Sequence, residues 1–143
     1  SATTPALRTL LKRMAKDLAL AVIEVPEARR AAYHAGAVMS AGGAVALLAS
    51  AVGALRHAGL DEDEAVQALL PLMRSALDGV EARGLRGGLT GPIARGDDGV
   101  VEAHLKALPK EVRDLYRALS LRMLGLSSLA PGARRRVRRA LGS

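Results

Sequence analysis

The residues with the widest range of chemistry lie between two helical stretches, in the segment from Leu89 to Asp97. The flanking chain is rich in Ala, Leu and Val, whereas this segment combines glycine, proline, threonine and opposite charges. Thr90 offers a hydroxyl, and Arg95 offers a planar, permanently charged group that pairs with carboxylate or phosphate. This composition favours a site for an anion or a small polar substrate. The alternative is an ordered turn in which Arg95 pairs with Asp97 and Asp97 caps the following helix.

Two histidines add candidate proton donors and acceptors, because imidazole titrates near neutral pH. His34 follows Tyr33 in a long apolar stretch, and His104 lies among apolar residues downstream of the loop. A histidine on an apolar face is also a common packing residue, so both roles stay open. The chain has no cysteine and no His-Glu-x-x-His spacing, so we expect no metal site.

The apolar spacing and the positions of proline, aspartate and glycine predict an all-α chain. Helices are expected to begin at Pro5, Pro26, Asp61, Asp97 or Asp98, Pro109 and Pro131, with a short extended segment over Leu18 to Val25. We expect a single helical domain over residues 1–143. Within it, residues 1–25 form a lead-in helix and linker, 26–126 the core, and 131–143 an exposed basic C-terminal helix or tail.

The longest predicted helix runs from Pro26 to His57 and carries a stripe of small residues. The stripe consists of Gly36, Ser40, Gly43, Ala46, Ser50 and Gly53, three or four residues apart. An interior glycine costs about 0.5–1 kcal/mol relative to alanine, so the stripe indicates close contact with another helix, such as one from a second subunit. Residues 35–55 are uncharged and long enough to cross a bilayer. Because Ala, Gly and Ser dominate them, we expect a buried helix and no membrane partner.

The net charge of +7 is concentrated near the C-terminal end, where five arginines lie within residues 134–139. The remainder of the chain is close to neutral, and no aromatic residues are interleaved with the arginines for base stacking. We therefore do not expect nucleic acid as a partner. The first residues show no signal-peptide pattern, so we expect a cytoplasmic protein. The glycines of residues 84–91 lack the Gly-x-Gly-x-x-Gly spacing and the preceding strand of a dinucleotide site.

Three segments together resemble the C-terminal domain of a family of Rossmann-like oxidoreductases of unassigned substrate. They are Ala-Tyr-His-Ala-Gly-Ala-Val at 32–38, Leu-Thr-Gly-Pro-Ile-Ala-Arg-Gly-Asp at 89–97, and His-Leu-Lys-Ala-Leu at 104–108. The second domain of that family is similar to the C-terminal domains of 6-phosphogluconate dehydrogenase, ketopantoate reductase and pyrroline-5-carboxylate reductase. The resemblance implies a helical bundle with one long central helix.

The resemblance also implies a function. A separate N-terminal Rossmann domain, absent from these residues, would bind NAD or NADP, and this chain alone would bind neither cofactor and be inactive. The long helix would join two copies into a homodimer, and hydride would pass to a small carbonyl, imine or alcohol substrate. The implied catalytic residue is His34, and the implied substrate-binding residues are Tyr33, Ser40, Thr90, Arg95, Asp97 and His104.

One departure from the family pattern concerns the residues after the Tyr-His segment. The family tends to have Ser-Asn there, whereas this chain has Ala41-Gly42, which offer no polar side chain. Ser40 is the nearest hydroxyl. A non-catalytic helical module for dimerisation or small-ligand binding therefore stays open as the alternative function.

Overall fold

The computed structural model describes residues 4–143, which contain helices and no β-strand. The α-helices are Pro5–Asp17 (α1), Arg30–His57 (α2), Glu62–Gly88 (α3), Pro92–Arg95 (α4), Asp98–Ala107 (α5), Lys110–Leu126 (α6) and Pro131–Ala140 (α7). A 3-10 turn, Glu27–Arg29, precedes α2. The predicted all-α class is confirmed. The chain divides into two units, the first ending at Gly43 and the second running from Ala44 to Ser143, and each is described by itself.

The helix starts follow the capping residues that the sequence predicts. Thr4 accepts a hydrogen bond on Oγ1 from the Leu7 amide at 3.3 Å. Asp61 and Glu64 form a capping box: the Glu64 amide donates to Asp61 Oδ1 at 2.8 Å, and the Asp61 amide donates to Glu64 Oε2 at 3.0 Å. These bonds satisfy amides that have no partner inside the helix, and so they fix where α1 and α3 begin.

Removing the α3 cap tests its contribution to stability. We expect Asp61→Ala to lower the free energy of unfolding by about 1 kcal/mol, because one amide of the first turn loses its acceptor. Urea denaturation followed by circular dichroism measures this loss. Asp63→Ala removes the same charge without removing a cap bond and should change stability by less than about 0.5 kcal/mol. Equal losses in the two variants would mean that the capping box contributes nothing of its own.

The core of the second unit is formed by side chains from α4 to α7. The buried apolar residues are Ile93, Val101, Leu105, Leu124, Val137 and Leu141. Val137 of α7 is fully buried, and Arg134 donates to the Ser127 carbonyl oxygen at 2.8 Å. The expectation that the C-terminal helix is exposed is therefore wrong for one face of α7. Val137 and Leu141, which are four residues apart, pack into the core. Its other face carries exposed arginines.

The long helix α2 is present as predicted, but the expectation that it is buried is wrong within this chain. Val52 is its only buried residue. The most apolar window of residues 27–57 has a mean hydropathy of 1.9 and is 6% buried. By length and composition alone this helix meets the criteria for crossing a membrane, as the core helix of a soluble protein also does. The described part of the chain therefore leaves an apolar helix without a cover.

The first unit is also open. The apolar face of α1 is exposed: Leu10, Leu11 and Met14 are each about half accessible. The chain between Leu20 and Pro26 has no regular secondary structure, in the region where the sequence predicts an extended segment over Leu18 to Val25.

Candidate functional site

The segment from Leu89 to Asp97 folds as a rigid turn around one short helix, α4. Gly91 has φ 90° and ψ −172°, and Gly96 has φ 80° and ψ 28°; both backbones are strained for any residue with a side chain. Pro92 begins α4, and its carbonyl oxygen accepts from the amides of Gly96 and Asp97 at 2.9 and 3.0 Å. Ile93 is 3% exposed and anchors the turn in the core. Sequence reasoning predicted a loop here, although proline at the first position and glycine after the last are the usual limits of a helix.

Arg95 and Asp97 are brought together at the surface of this turn. Arg95 Nε donates to Asp97 Oδ2 at 2.9 Å, and the two side chains are 65% and 36% exposed. The predicted pairing is confirmed. Asp97 occupies the N-cap position of α5 as predicted, but its side chain makes no capping hydrogen bond, because its carboxylate engages Arg95. The pairing uses one of five guanidinium N–H donors, which leaves the donors on Nη1 and Nη2 for a ligand.

His104, in the last turn of α5, pairs with Tyr116 of α6. His104 Nδ1 lies 2.9 Å from Tyr116 Oη, and the two rings meet edge to face at 83° with centroids 5.8 Å apart. His104 is exposed and Tyr116 is partly buried. Burial raises the pKa of Tyr116 above its ordinary value, and the Ser120 hydroxyl offsets part of that rise. Sequence reasoning missed Tyr116, because it lies 12 residues from His104 on another helix and no spacing marks the pair.

The register of α5 places the ion pair and His104 along one face. Asp97 directly precedes the helix, and His104 follows it by seven residues, which is close to two full turns. At 1.5 Å per residue the separation along the axis is about 10 Å. Val100, between them in the same register, is 43% exposed. The face is therefore open to solvent and has the length of a small molecule. Thr90, just before the turn, is exposed as well.

The other predicted site residues lie on α2 within the first unit. Tyr33, His34 and Ser40 are all exposed. Seven residues separate Tyr33 from Ser40, so these two share the face that carries the small-residue stripe. His34 shares its face with Ala41, which has no polar side chain to orient a substrate beside the imidazole. The roles of these three residues stay predictions.

The first unit also contains a groove that the sequence did not predict. Its volume is about 720 Å³, and α1 lines one side of it while residues 22–27 line the other. Lys12 Nζ and Glu24 Oε1 meet 2.8 Å apart at this groove, and Lys12 holds the pKa of the Glu24 carboxyl below its ordinary value. Both side chains are more than half exposed, so the pair contributes little to stability.

Two kinds of site are not recognisable among the described residues: a Rossmann-type dinucleotide site and a metal site. A Rossmann-type site needs a strand that leads through a glycine-rich turn into a helix, and residues 4–143 contain no strand. Over the same residues, no group of three or more His, Asp or Glu side chains is placed to hold a metal. What the second unit does present is a rigid charged turn and a histidine–tyrosine pair.

The fold defines an all-α domain in which a charged turn surrounds one short helix. The chain belongs to the family described as Domain of unknown function (DUF2520), whose model matches residues 1–123. The match includes every predicted site residue and Tyr116, and it ends within α6, before α7. Searches of curated proteins and of solved structures gave no match. The family description assigns no activity.

Proposed function

We propose that this chain is the subunit-joining and substrate-facing domain of a nicotinamide-dependent oxidoreductase. Its substrate is a small carbonyl or imine, or the corresponding alcohol in the reverse direction. The three segments that resemble the helical domain of Rossmann-like oxidoreductases support this activity. Because residues 4–143 contain no strand that could begin a Rossmann-type site, the proposal includes a separate domain that binds NAD or NADP.

The observation that carries the proposal is the uncovered apolar surface of α2. Met39 and Leu47, which lie beside the small-residue stripe on the same face of α2, are 76% and 39% exposed. A Cβ atom built on Gly36 would meet no heavy atom within 4 Å. The stripe is exposed from Gly36 to Ala46 and partly buried at Ser50 and Gly53. Contiguous exposed apolar surface of this kind marks an interaction site.

We assign this surface to a second copy of the chain. In a two-fold symmetric dimer the stripe of one copy faces the same stripe of the other, and glycine and serine allow the two backbones to approach closely. At 1.5 Å per residue, the 28 residues of α2 provide about 42 Å of helix for such a contact. A bilayer is the less suitable cover, because Ala, Gly and Ser transfer into lipid less favourably than Leu, Ile or Phe.

The charged turn supplies the substrate contact in this proposal. The remaining Arg95 donors face solvent on a turn that two positive-φ glycines and buried Ile93 hold rigid. They suit a carboxylate or phosphate on the substrate. His34 is the proposed proton donor or acceptor, and Tyr33, Ser40, Thr90, Asp97 and His104 are the proposed polar contacts.

Replacing Arg95 tests the anion contact. In the complete natural protein we expect Arg95→Ala to weaken the binding of small carboxylates or phosphates about 10- to 100-fold, the effect of losing a charge-assisted hydrogen bond. Isothermal titration calorimetry measures this change. Stability should stay within about 1 kcal/mol of the wild type, because the Arg95–Asp97 pair is exposed.

The matched control is Arg135→Ala, which removes the same charge from the exposed face of α7. We expect it to leave anion binding unchanged. Equal weakening of anion binding in both variants would mean that net charge, and not the position of Arg95, determines the affinity. Unchanged binding in Arg95→Ala would remove Arg95 from the site. Anion binding by a complete protein that binds neither nicotinamide would support a non-catalytic ligand-binding module instead.

A further inference from the structure

The segment from Leu20 to Val25 carries main-chain groups without partners in the described part of the chain. It contains no helix, turn or bend, so the chain runs straight here. The Leu20 amide donates to the Ala15 carbonyl oxygen at 2.8 Å, and the next main-chain hydrogen bond is the one that the Pro26 carbonyl oxygen accepts. Between them, residues 21–25 make no main-chain hydrogen bond to any residue of 4–143. A β-strand without its neighbour presents such a row of unpaired groups.

The side chains of this segment are those of a strand that is covered on both faces. The run Leu-Ala-Val-Ile-Glu-Val contains a single charge, and half of its residues are β-branched. Val22 and Ile23 lie on opposite faces of a straight chain, and they are 50% and 68% exposed. Apolar residues on both faces are typical of strands in parallel sheets, which helices cover on both sides. The segment therefore lacks a cover as well as hydrogen-bond partners.

The helix α1 lies beside this segment and borders the same open space. The chain reverses after α1 at Ala19, whose φ is 53°, and runs back along the helix until Lys12 Nζ meets Glu24 Oε1 at 2.8 Å. Leu11 of α1 and Val22 both line the groove of about 720 Å³. A helix that runs back along an unpaired strand is part of an α/β layer arrangement, in which the helix covers one face of the sheet that contains the strand.

We propose that residues 20–25 form a β-strand against the open edge of a parallel β-sheet in the separate nicotinamide-binding domain, with α1 covering one face of that sheet. Residues 4–143 contain no strand that could be the neighbour. Dinucleotide-binding domains are built on mostly parallel sheets with helices on both faces, which matches the strand and the helix. Two copies of the segment would give only a two-stranded ribbon, which is marginally stable in water.

The identity of the partner rests on the proposed function, which places a nicotinamide-binding domain in the same protein. The need for a strand neighbour rests on the unpaired main-chain groups alone. The region that the sequence suggests as a lead-in helix and linker thereby becomes the interface that attaches the helical domain to the sheet.

Residue-resolved amide hydrogen exchange of the complete natural protein and of the 143-residue chain tests the pairing. We expect amides within residues 21–25 to exchange at least about 100-fold more slowly in the complete protein, because hydrogen bonds of a strand open only with the unit that contains them. Equally fast exchange in the two proteins would overturn the proposal. Slow exchange already in the 143-residue chain would identify a second copy as the partner and would overturn it as well.

Proline variants of the complete protein test the same hydrogen bonds. Successive amides of a strand point to opposite sides, so Val22→Pro and Ile23→Pro each remove the donor from a different side. We expect at least one of them to speed exchange of the remaining amides of the segment about 10-fold, because a strand hydrogen bond is lost. The matched controls, Val22→Ile and Ile23→Val, keep the amide and should leave exchange unchanged. Unchanged exchange in both proline variants would contradict the strand.

The exchange measurements use no nicotinamide, so failure of the strand and failure of the proposed function are distinguishable. A complete protein that binds a nicotinamide but leaves residues 21–25 unprotected would overturn the strand alone. A complete protein that protects these residues but binds neither nicotinamide would support the strand and contradict the oxidoreductase function.

Discussion

We expect Gly43→Leu to break the proposed dimer of this chain into monomers. Gly43 lies in the small-residue stripe of α2, and a Cβ atom there meets only the Val38 carbonyl oxygen, at an ordinary 3.8 Å, so the single chain tolerates a side chain. In a symmetric dimer the same leucine enters the interface twice. Overpacking costs about 1–3 kcal/mol per site, so the two copies together should weaken association about 30-fold or more.

The matched control is Ala41→Leu, which adds a comparable side chain on the opposite face of the same exposed helix. Static light scattering at micromolar concentration measures both variants. The wild type and Ala41→Leu should give twice the single-chain mass of 14.8 kDa, and Gly43→Leu should give the single-chain mass. A wild-type chain that scatters as a monomer, or a Gly43→Leu variant that stays a dimer, would contradict the assignment of α2 to a second copy.

The second large effect is expected at Gly88, where α3 folds back on itself before the charged turn. Gly84 interrupts α3 with φ 70° and ψ 176°. A Cβ atom on Gly88 would lie 2.7 Å from the Val80 amide nitrogen and 2.9 Å from the Gly79 carbonyl carbon. Both are backbone atoms, which cannot move aside by a change of rotamer. We therefore expect Gly88→Ala to lower the free energy of unfolding by about 3 kcal/mol, measured by urea denaturation.

Gly99→Ala provides the contrast at a helical glycine with open space. A Cβ atom there meets nothing within 4 Å, and its φ is not positive. We expect this substitution in α5 to raise stability by about 0.5–1 kcal/mol, because alanine favours the helix over glycine. If both substitutions shifted stability in the same direction by the same amount, the close contact at Gly88 would not be the cause.

The helices were predictable because their ends depend on residues close in sequence. Thr4, and Asp61 with Glu64, satisfy amides three positions away, so the pattern and the contact coincide. Burial was less predictable, because it depends on distant surfaces. The composition of α2 is that of a core helix, yet no pattern in the sequence shows what covers it. Val137 in α7 and Leu141 directly after it are the only large apolar residues beside five arginines, and two positions gave too little periodicity to reveal that this helix packs into the core.

In the candidate site, too, contacts between residues close in sequence were predictable and contacts between distant residues were not. Arg95 and Asp97 are two residues apart with opposite charge, so their pairing followed from the sequence, while the competition between this pair and the helix cap did not. Tyr116 was invisible because its contact with His104 depends on how α5 and α6 pack. The local sequence also does not predict how far the α2 residues lie from the charged turn.

Cofactor binding by the complete natural protein tests the proposed function most directly. Fluorescence titration with NADH and with NADPH compares that protein with the 143-residue chain. We predict that the complete protein binds at least one of the two with a dissociation constant of about 1 μM to 1 mM, the range in which enzymes usually bind substrates. The 143-residue chain should bind neither. A complete protein that binds neither nicotinamide would contradict the assignment of this helical domain to an oxidoreductase.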